Sequence, residues 1–173
     1  EEGAEVMLSD IHAGRLARFA DELAEEIGRG VPTALCDVRS NDDVVALVQK
    51  AEAEFGRIDV FVNNAGMGMT KSLVDTEDDE WNRLLDINLS GTFRTLRAVL
   101  PGMTRRRSGS IINLSSICAW RAEAGQTAYA ASKAGVLALT RCAAVAAAPY
   151  GARVNALVPR LAIHPHLEKV SSP

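Results

Sequence analysis

Tyr129 and Lys133 form the pair in this sequence best suited to move a proton. They are four residues apart, a spacing that stacks two side chains on one helix face, one turn from each other. An unperturbed tyrosine titrates near ~10, and a neighbouring ammonium favours its phenolate. Such a phenol can exchange a proton with an alcohol or carbonyl oxygen near neutral pH. Ser116 lies thirteen residues before Tyr129, just past an apolar run, and its hydroxyl can hydrogen-bond the same substrate oxygen. Ser115 competes for that role, and the spacing to Tyr129 favours Ser116. Either could equally be an ordinary serine of a strand-to-loop turn. Asn88, in Asp86-Ile87-Asn88-Leu89, is a poor helix former inside an apolar helical pattern. A functional contact, a solvent-facing position and a local bend all account for it.

Two further places read as ligand-facing. Asp10 ends an apolar run, where an acid can accept hydrogen bonds from the ribose hydroxyls of an adenosine. It would also repel a 2′-phosphate, which favours NAD over NADP. Asp10 is equally a good N-cap for the following helix. Asn63-Asn64-Ala65-Gly66 follows another apolar run, and its small residues let the backbone approach a flat ligand closely. It reads as well as a tight turn after a strand.

The elements that would position these residues follow from hydrophobic periodicity. Strands are expected at residues 5–10, 31–38, 58–62, 111–114 and 154–158. Helices are expected from Leu16 to Ile27, from Val44 to Phe55, as one long helix from Trp81 to Leu96, and from Thr127 to Ala148. Strands apolar on both faces, each followed by a helix, indicate a parallel sheet covered on both sides. Right-handed crossovers give a doubly wound, Rossmann-type α/β fold. Its ligand lies at the carboxyl ends of the strands, beside Asp10, Asp37, Asn63 to Gly66, Ser115, Ser116 and Pro159.

The remaining sequence narrows the function classes. The 173 residues suit one domain, with 47% apolar and 24% charged residues. A net charge of -3 leaves no basic footprint for nucleic acid. The run Arg105-Arg106-Arg107 reads as a solvated loop. Cys36, Cys118 and Cys142 are odd in number and lack C-x-x-C spacing, so neither a disulfide frame nor a metal site is indicated, and a reducing cytoplasm is the simplest setting. No stretch approaches the ~18 continuous apolar residues of a membrane span, and no signal peptide is visible. His164 and His166 flank Pro165 in what reads as a loop rather than a metal site.

Taken together, Asp10, Asp37-Val38, Asn63-Asn64-Ala65-Gly66, Asn88, Ile111 to Ser116 and Tyr129-Ala130-Ala131-Ser132-Lys133 resemble the short-chain dehydrogenase/reductase family of the classical type. The resemblance runs from Glu5 to about Pro159, in family order and spacing. It implies that Tyr129 is the general acid/base and that Ser116 orients substrate and stabilises the reacting oxygen. Lys133 would hold the nicotinamide ribose, and Asn88 would bind a water of a proton relay. Asp37 would bond the adenine amino group, and the Val38 backbone would line the adenine pocket. Asn64, Ala65 and Gly66 would pass beside the adenosine ribose, and Pro159 would lie at the nicotinamide end.

The family's opening strand and T-G-x-x-x-G-x-G loop, which cradles the pyrophosphate, have no counterpart in the sequence. Arg160 stands where the family has Gly, and His164 near a family Thr. The expectation is therefore a single, truncated dinucleotide-binding and catalytic domain over residues 1–173. It would lack the first strand, the C-terminal substrate loop and the last strand, and would be inactive alone. In the order 3-2-1-4-5-6 the missing first strand is central. Residues 6–10 and 58–62 should then lie roughly ~9–10 Å apart with a slot between them.

The expected reaction is hydride transfer between NAD(H) and a secondary alcohol or ketone, with a 3-oxoacyl thioester or steroid-like substrate. The alternatives are a non-catalytic binding protein of the same fold and a sugar-nucleotide epimerase or dehydratase. No nucleic acid or membrane partner is expected. A homodimer or homotetramer is, with Ala143, Ala144, Ala146, Ala147 and Ala148 at a helix interface.

Overall fold

The computed structural model describes residues 3–160; His164 and His166 lie outside the described residues. Strands and helices alternate as β1 (Leu8–Asp10), α1 (Ala13–Ile27), β2 (Thr33–Leu35), α2 (Asn41–Phe55), β3 (Val60–Asn63), α3 (Asp78–Leu85), α4 (Gly91–Arg105), β4 (Gly109–Leu114), α5 (Thr127–Ala147) and β5 (Ala152–Leu157). Local sequence explains the helix ends. The Ser40 hydroxyl caps α2 by accepting from Asp43 N at 3.2 Å, with Asp42 and Asp43 in the first turn. Glu77 and Glu80 form a reciprocal capping box at the start of α3.

Every strand pairing is parallel. Leu8 lies opposite Thr33, Val60 opposite Ser110 and Gly109 opposite Ala152. The strand order is β1-β2 in one part and β3-β4-β5 in the other, and no ladder joins β1 to β3 among the described residues. This is the doubly wound order with its central position filled by no described strand. The two parts are held together by side chains. Met7, Phe61 and Ala98 pack against both core clusters, one around Val44 and Leu47 of α2 and one around Val99, Met103 and Ile111.

Several expectations need correction. β1 and β2 are shorter than residues 5–10 and 31–38, because each pairs only with the other and Val6 is exposed. The three-stranded part is not covered on both sides within the described residues, whereas α1 and α2 both pack on the β1–β2 part. Phe61, Ile111 and Val154 share the face packed by α2, α4 and α5. On the opposite face Val60 and Val62 are 58% and 51% exposed. The long helix expected from Trp81 is interrupted by a π turn, Asp86–Ser90, whose wide bond runs from Gly91 N to Asp86 O.

The arginine run is not a free loop. Arg105 ends α4, Arg106 donates to Ile58 O, and Arg107 donates to Pro149 O at 3.0 Å. Of the α5 alanines, Ala147 is buried and Ala143 and Ala144 pack against the core, whereas Ala146 and Ala148 are exposed. The segment Thr127–Tyr150 is long and apolar enough to cross a membrane. Its Val136, Leu137, Thr140 and Ala147 are nonetheless buried inside the fold, as in the core helix of a globular protein.

Candidate active site

Parallel strands deliver their carboxyl ends to one edge of the sheet, and the residues singled out by sequence lie there. Asp10 ends β1, Asp37 and Val38 follow β2, Asn64 to Gly66 follow β3, Ser115 and Ser116 follow β4, and Pro159 follows β5. The first turns of α5 add Tyr129 and Lys133.

Asn88 is the hub of the half that carries Ser116, Tyr129 and Lys133. It is buried in the π turn, so of the three readings its position left open the solvent-facing one does not hold. Its Oδ1 accepts from Met67 N at 2.8 Å, while its Nδ2 donates to Met67 O at 2.9 Å and to Ser132 Oγ at 3.0 Å. Ser132 Oγ in turn donates to Tyr129 O at 2.7 Å. One carboxamide thus ties the loop after β3 to the first turn of α5. The fit is close at Gly66, where a Cβ would lie 3.2 Å from Asn88 Oδ1 and 3.5 Å from Lys133 Nζ.

Lys133 is buried, and its Nζ donates to Leu114 O at 2.7 Å. No ion pair reaches it among the described residues, and burial pulls its pKa below the ordinary lysine value. The ammonium stands 5.7 Å from the centre of the Tyr129 ring. The two serines separate by use. Ser115 is buried and donates to Lys133 O at 2.8 Å. Ser116 is half-buried, and its Oγ accepts from Cys118 N at 3.3 Å, leaving the hydroxyl proton for another acceptor. Pro159 is exposed and its carbonyl accepts from Ile117 N at 3.0 Å, which fixes the short turn after Ser116.

On the other half of the edge both acids are paired. Arg15 Nε and Nη2 meet the two Asp10 oxygens at 2.8 and 2.7 Å, and His12 N donates to the same carboxylate at 2.8 Å. Burial alone would raise the Asp10 pKa, but these bonds outweigh it and hold it below the usual carboxylate range. Arg39 grips Asp37 through Nε and Nη2 and likewise holds its carboxyl low. Asn64 and Ala65 are exposed, and Val38 is half-buried with its carbonyl accepting from Arg94 Nη1 at 3.2 Å.

Sequence reasoning passed over Thr95, Thr140 and Arg94, and gave Asn63 and Asn113 no buried role, although all five organise the site. Thr95 Oγ1 donates to Asn63 Oδ1 at 2.5 Å, Asn63 Nδ2 to Asn113 Oδ1 at 2.7 Å, and Asn113 Nδ2 to Thr140 Oγ1 at 2.9 Å. This buried chain runs from α4 across β3 and β4 to α5. Its signal was available in the amides of otherwise apolar strands, since a buried amide requires partners. Arg94 is the last of them. It binds Asp86 Oδ1 at 2.7 Å as well as Val38 O, and so joins the π turn to the loop after β2. Among the thiols, burial pushes Cys36 up to about 11, which removes it as a nucleophile at neutral pH. No cluster suited to a metal ion occurs among the described residues.

Known proteins are similar to this chain in sequence and fold. A family model described as enoyl-(acyl carrier protein) reductase matches residues 1–172. A (5R,7aS)-5-hydroxy-7a-methyl-1-oxo-2,3,5,6,7,7a-hexahydro-1H-indene-carboxyl-CoA reductase of Mycobacterium tuberculosis is 47% identical over 173 residues, covering 99% of this chain and 66% of that protein. The 3-oxoacyl-[acyl-carrier-protein] reductase FabG of Thermotoga maritima is 38% identical, covering 98% of this chain and 69% of that protein. A short chain dehydrogenase structure from Mycobacterium smegmatis superposes with a TM-score of 0.88 at 43% identity, over 94% of this chain and 68% of that one. The chain therefore spans about two thirds of the length of its relatives. With a family model along its length and relatives this similar, the chain belongs to the short-chain dehydrogenase/reductase family.

Proposed function

We propose that the protein is a nicotinamide-dependent oxidoreductase that interconverts a secondary alcohol and its ketone, with residues 1–173 forming one dinucleotide-binding and catalytic unit. The observation that carries this reading is the junction at Asn88, which brings the loop at Gly66 and Met67 together with Ser132, Tyr129 and Lys133.

The residues present fit the cofactor. Gly66 leaves open the space that a Cβ would fill between Asn88 and Lys133. Lys133 retains ammonium hydrogens beyond the one given to Leu114 O, with no carboxylate among the described residues to absorb them. These are suitable donors for ribose hydroxyls. Asp10 would accept from the adenosine ribose, and Asp37 and Val38 would border the adenine. When bound, the nicotinamide would supply or accept the hydride.

The chain's own groups then divide the remaining work. Tyr129 gives its phenolic proton to the carbonyl oxygen in reduction and takes it back in oxidation. Ser116 donates its hydroxyl proton to the same oxygen, which stabilises the charge developing there. Lys133 lies one helical turn from Tyr129 and places a positive charge beside the ring. Asn88 fixes the geometry of both by holding Met67 and Ser132.

For the substrate, the nearest guides are the bicyclic ketone-bearing CoA thioester and the 3-oxoacyl thioester named for the two relatives. A cleft lined by Leu73, Thr76, Asp78, Trp81, Thr127 and Ala128 adjoins Tyr129 in the chain. Its apolar members suit a hydrocarbon ring or acyl chain beside the reacting carbon.

The test is Tyr129→Phe in the full-length protein, assayed with 3-oxoacyl thioesters and bicyclic ketones. Turnover should fall at least about 100-fold, the usual worth of general acid–base catalysis, while NADH binding by fluorescence titration stays within about twofold. A variant retaining more than about a tenth of the turnover would remove the phenol from the chemistry.

A further inference from the structure

Among the described residues, two side-chain hydrogen bonds cross from the part carrying β1, β2 and α2 to the part carrying β3, β4 and β5. One is exposed and runs from Arg97 Nη2 to Asn41 Oδ1. The other is part-buried and is made by Arg94. Arg94 Nη1 donates to Val38 O at 3.2 Å and, at a longer 3.4 Å, to Asp86 O, while Nη2 donates to Asp86 Oδ1 at 2.7 Å. Asp86 O is also the carbonyl that accepts the wide bond from Gly91 N. One planar guanidinium, rigid in the spacing of its donors, thus spans the loop after β2 and the closing bond of the π turn.

Both ends of this bridge are held. On the Val38 side, Asp37 N donates to Asp43 Oδ2 at 3.0 Å and Ser40 N donates to Asp37 O at 2.9 Å, which ties the loop to the start of α2. Val38 also rests directly on Gly91, where a Cβ would lie 2.8 Å from Val38 Cγ2 and 3.0 Å from Val38 Cβ. On the other side, Asn88 stands two residues beyond Asp86. It bonds Met67 and Ser132, and Ser132 bonds Tyr129 O. A continuous path therefore leads from Val38 through Arg94, Asp86, Asn88 and Ser132 to Tyr129. Fixing one end of such a path restricts the other end without any change of shape.

We propose that Arg94 is a positioning residue that couples occupancy of the adenosine half to the order of the first turn of α5, so that a dinucleotide seated against Val38 steadies Tyr129 for proton transfer. The inference rests on the nicotinamide reading and adds to it the means by which the two halves act together. Lys133 and Ser116 reach the substrate end without this bridge; Arg94 touches neither substrate nor cofactor and acts only through Asp86 and Val38.

The experiment is hydrogen exchange of the full-length protein with and without saturating AMP, which carries the adenosine half alone, for the wild type, Arg94→Met and Arg94→Lys. In the wild type, AMP should slow exchange in the segment around Val38 and also in residues 127–133, the latter by about fivefold or more, the low end of coupling between sites. In Arg94→Met the protection around Val38 should remain and that in residues 127–133 should vanish. Arg94→Lys keeps a cation for Asp86 without the fork, so it guards against a Met variant that fails to fold, and it should lose most of the transmitted protection. In turnover, the Met variant should lose about tenfold in kcat, the worth of a hydrogen bond to a charged group, with NADH affinity within about threefold. A purely structural role would lower both alike. Transmitted protection that is absent from the wild type, or that survives in both variants, overturns the proposal. So does loss of protection around Val38 in the variants, which would make Arg94 part of the pocket itself. AMP that protects neither segment of the wild type would also remove the adenosine site on which the nicotinamide reading depends, an outcome distinct from protection around Val38 alone.

Discussion

Lys133 is a cationic side chain stored where a cation is disfavoured. It is buried, hydrogen-bonded to one carbonyl and paired with no acid among the described residues. Its folded pKa lies below the unfolded value of 10.5 because burial penalises the charged form. The unfolded chain therefore binds more protons in the window between the two values, and stability rises with pH across it. Below the folded pKa the penalty is present in full; above the unfolded pKa it is gone. Lys133→Met should consequently be at least as stable as the wild type at neutral pH, with the advantage shrinking as the pH approaches 10.5. The same variant should lose at least about 100-fold in turnover if the ammonium serves the reaction. Thermal melts from neutral to alkaline pH test the first part. A melting temperature several degrees below wild type at neutral pH would show that the amine is structural instead.

The π turn between α3 and α4 is the element on which the proposed catalytic half depends. A wide turn displaces the helix axis and frees carbonyls from the regular ladder, which is why such turns recur at functional sites. It points Asn88 into the interior, onto Met67 and Ser132. Gly91, directly after it, permits close approach, since a Cβ there would meet Val38 Cγ2 at 2.8 Å. Asn88→Ala should leave the Met67 N–H and C=O without partners, at a cost of about 1–3 kcal/mol, and lower turnover more than it lowers cofactor affinity. A urea titration with unchanged slope reads the stability term; an unaltered midpoint would deny Asn88 its clamping role.

The sequence allowed this site to be read only in part. Asp10, Ser116 and Pro159 could be placed because strand ends are marked by where apolar runs stop, and Tyr129 and Lys133 because helical spacing is regular. The π turn could not, because Asp86 to Ser90 fits a helical pattern and the extra residue per turn leaves no mark on composition. The Asp10–Arg15 pair also escaped, since the two residues lie on different elements and meet only after the chain has turned at His12. The strands were overextended for a related reason. Apolar residues such as Val6 and Val31 mark a propensity, whereas a ladder needs a neighbour.

At the scale of the molecule, backbone pairing stops between β1 and β3. The part carrying Asp10 and Asp37 meets the part carrying Ser116, Tyr129 and Lys133 through side chains such as Met7 and Phe61, and through the packing of α2 on α4. Cooperative unfolding requires that loss of one part destabilise the other by more than thermal energy, and a continuous ladder is the usual way to secure that. Here the connection is apolar contact plus side-chain hydrogen bonds from Arg94 to Val38 O and from Arg97 to Asn41, while among the described residues β3 and β1 each keep one unpaired edge. In calorimetry the 173-residue chain should therefore show a van't Hoff enthalpy below the calorimetric one, with β1, α1 and β2 melting ahead of the three-stranded part. Equal enthalpies would mean that the side-chain seam couples the halves as strongly as hydrogen-bonded strands would. The seam runs between the proposed adenosine and catalytic halves, so a dinucleotide lying across it would act as a thermodynamic cross-link. Its binding should merge the two melting steps into one.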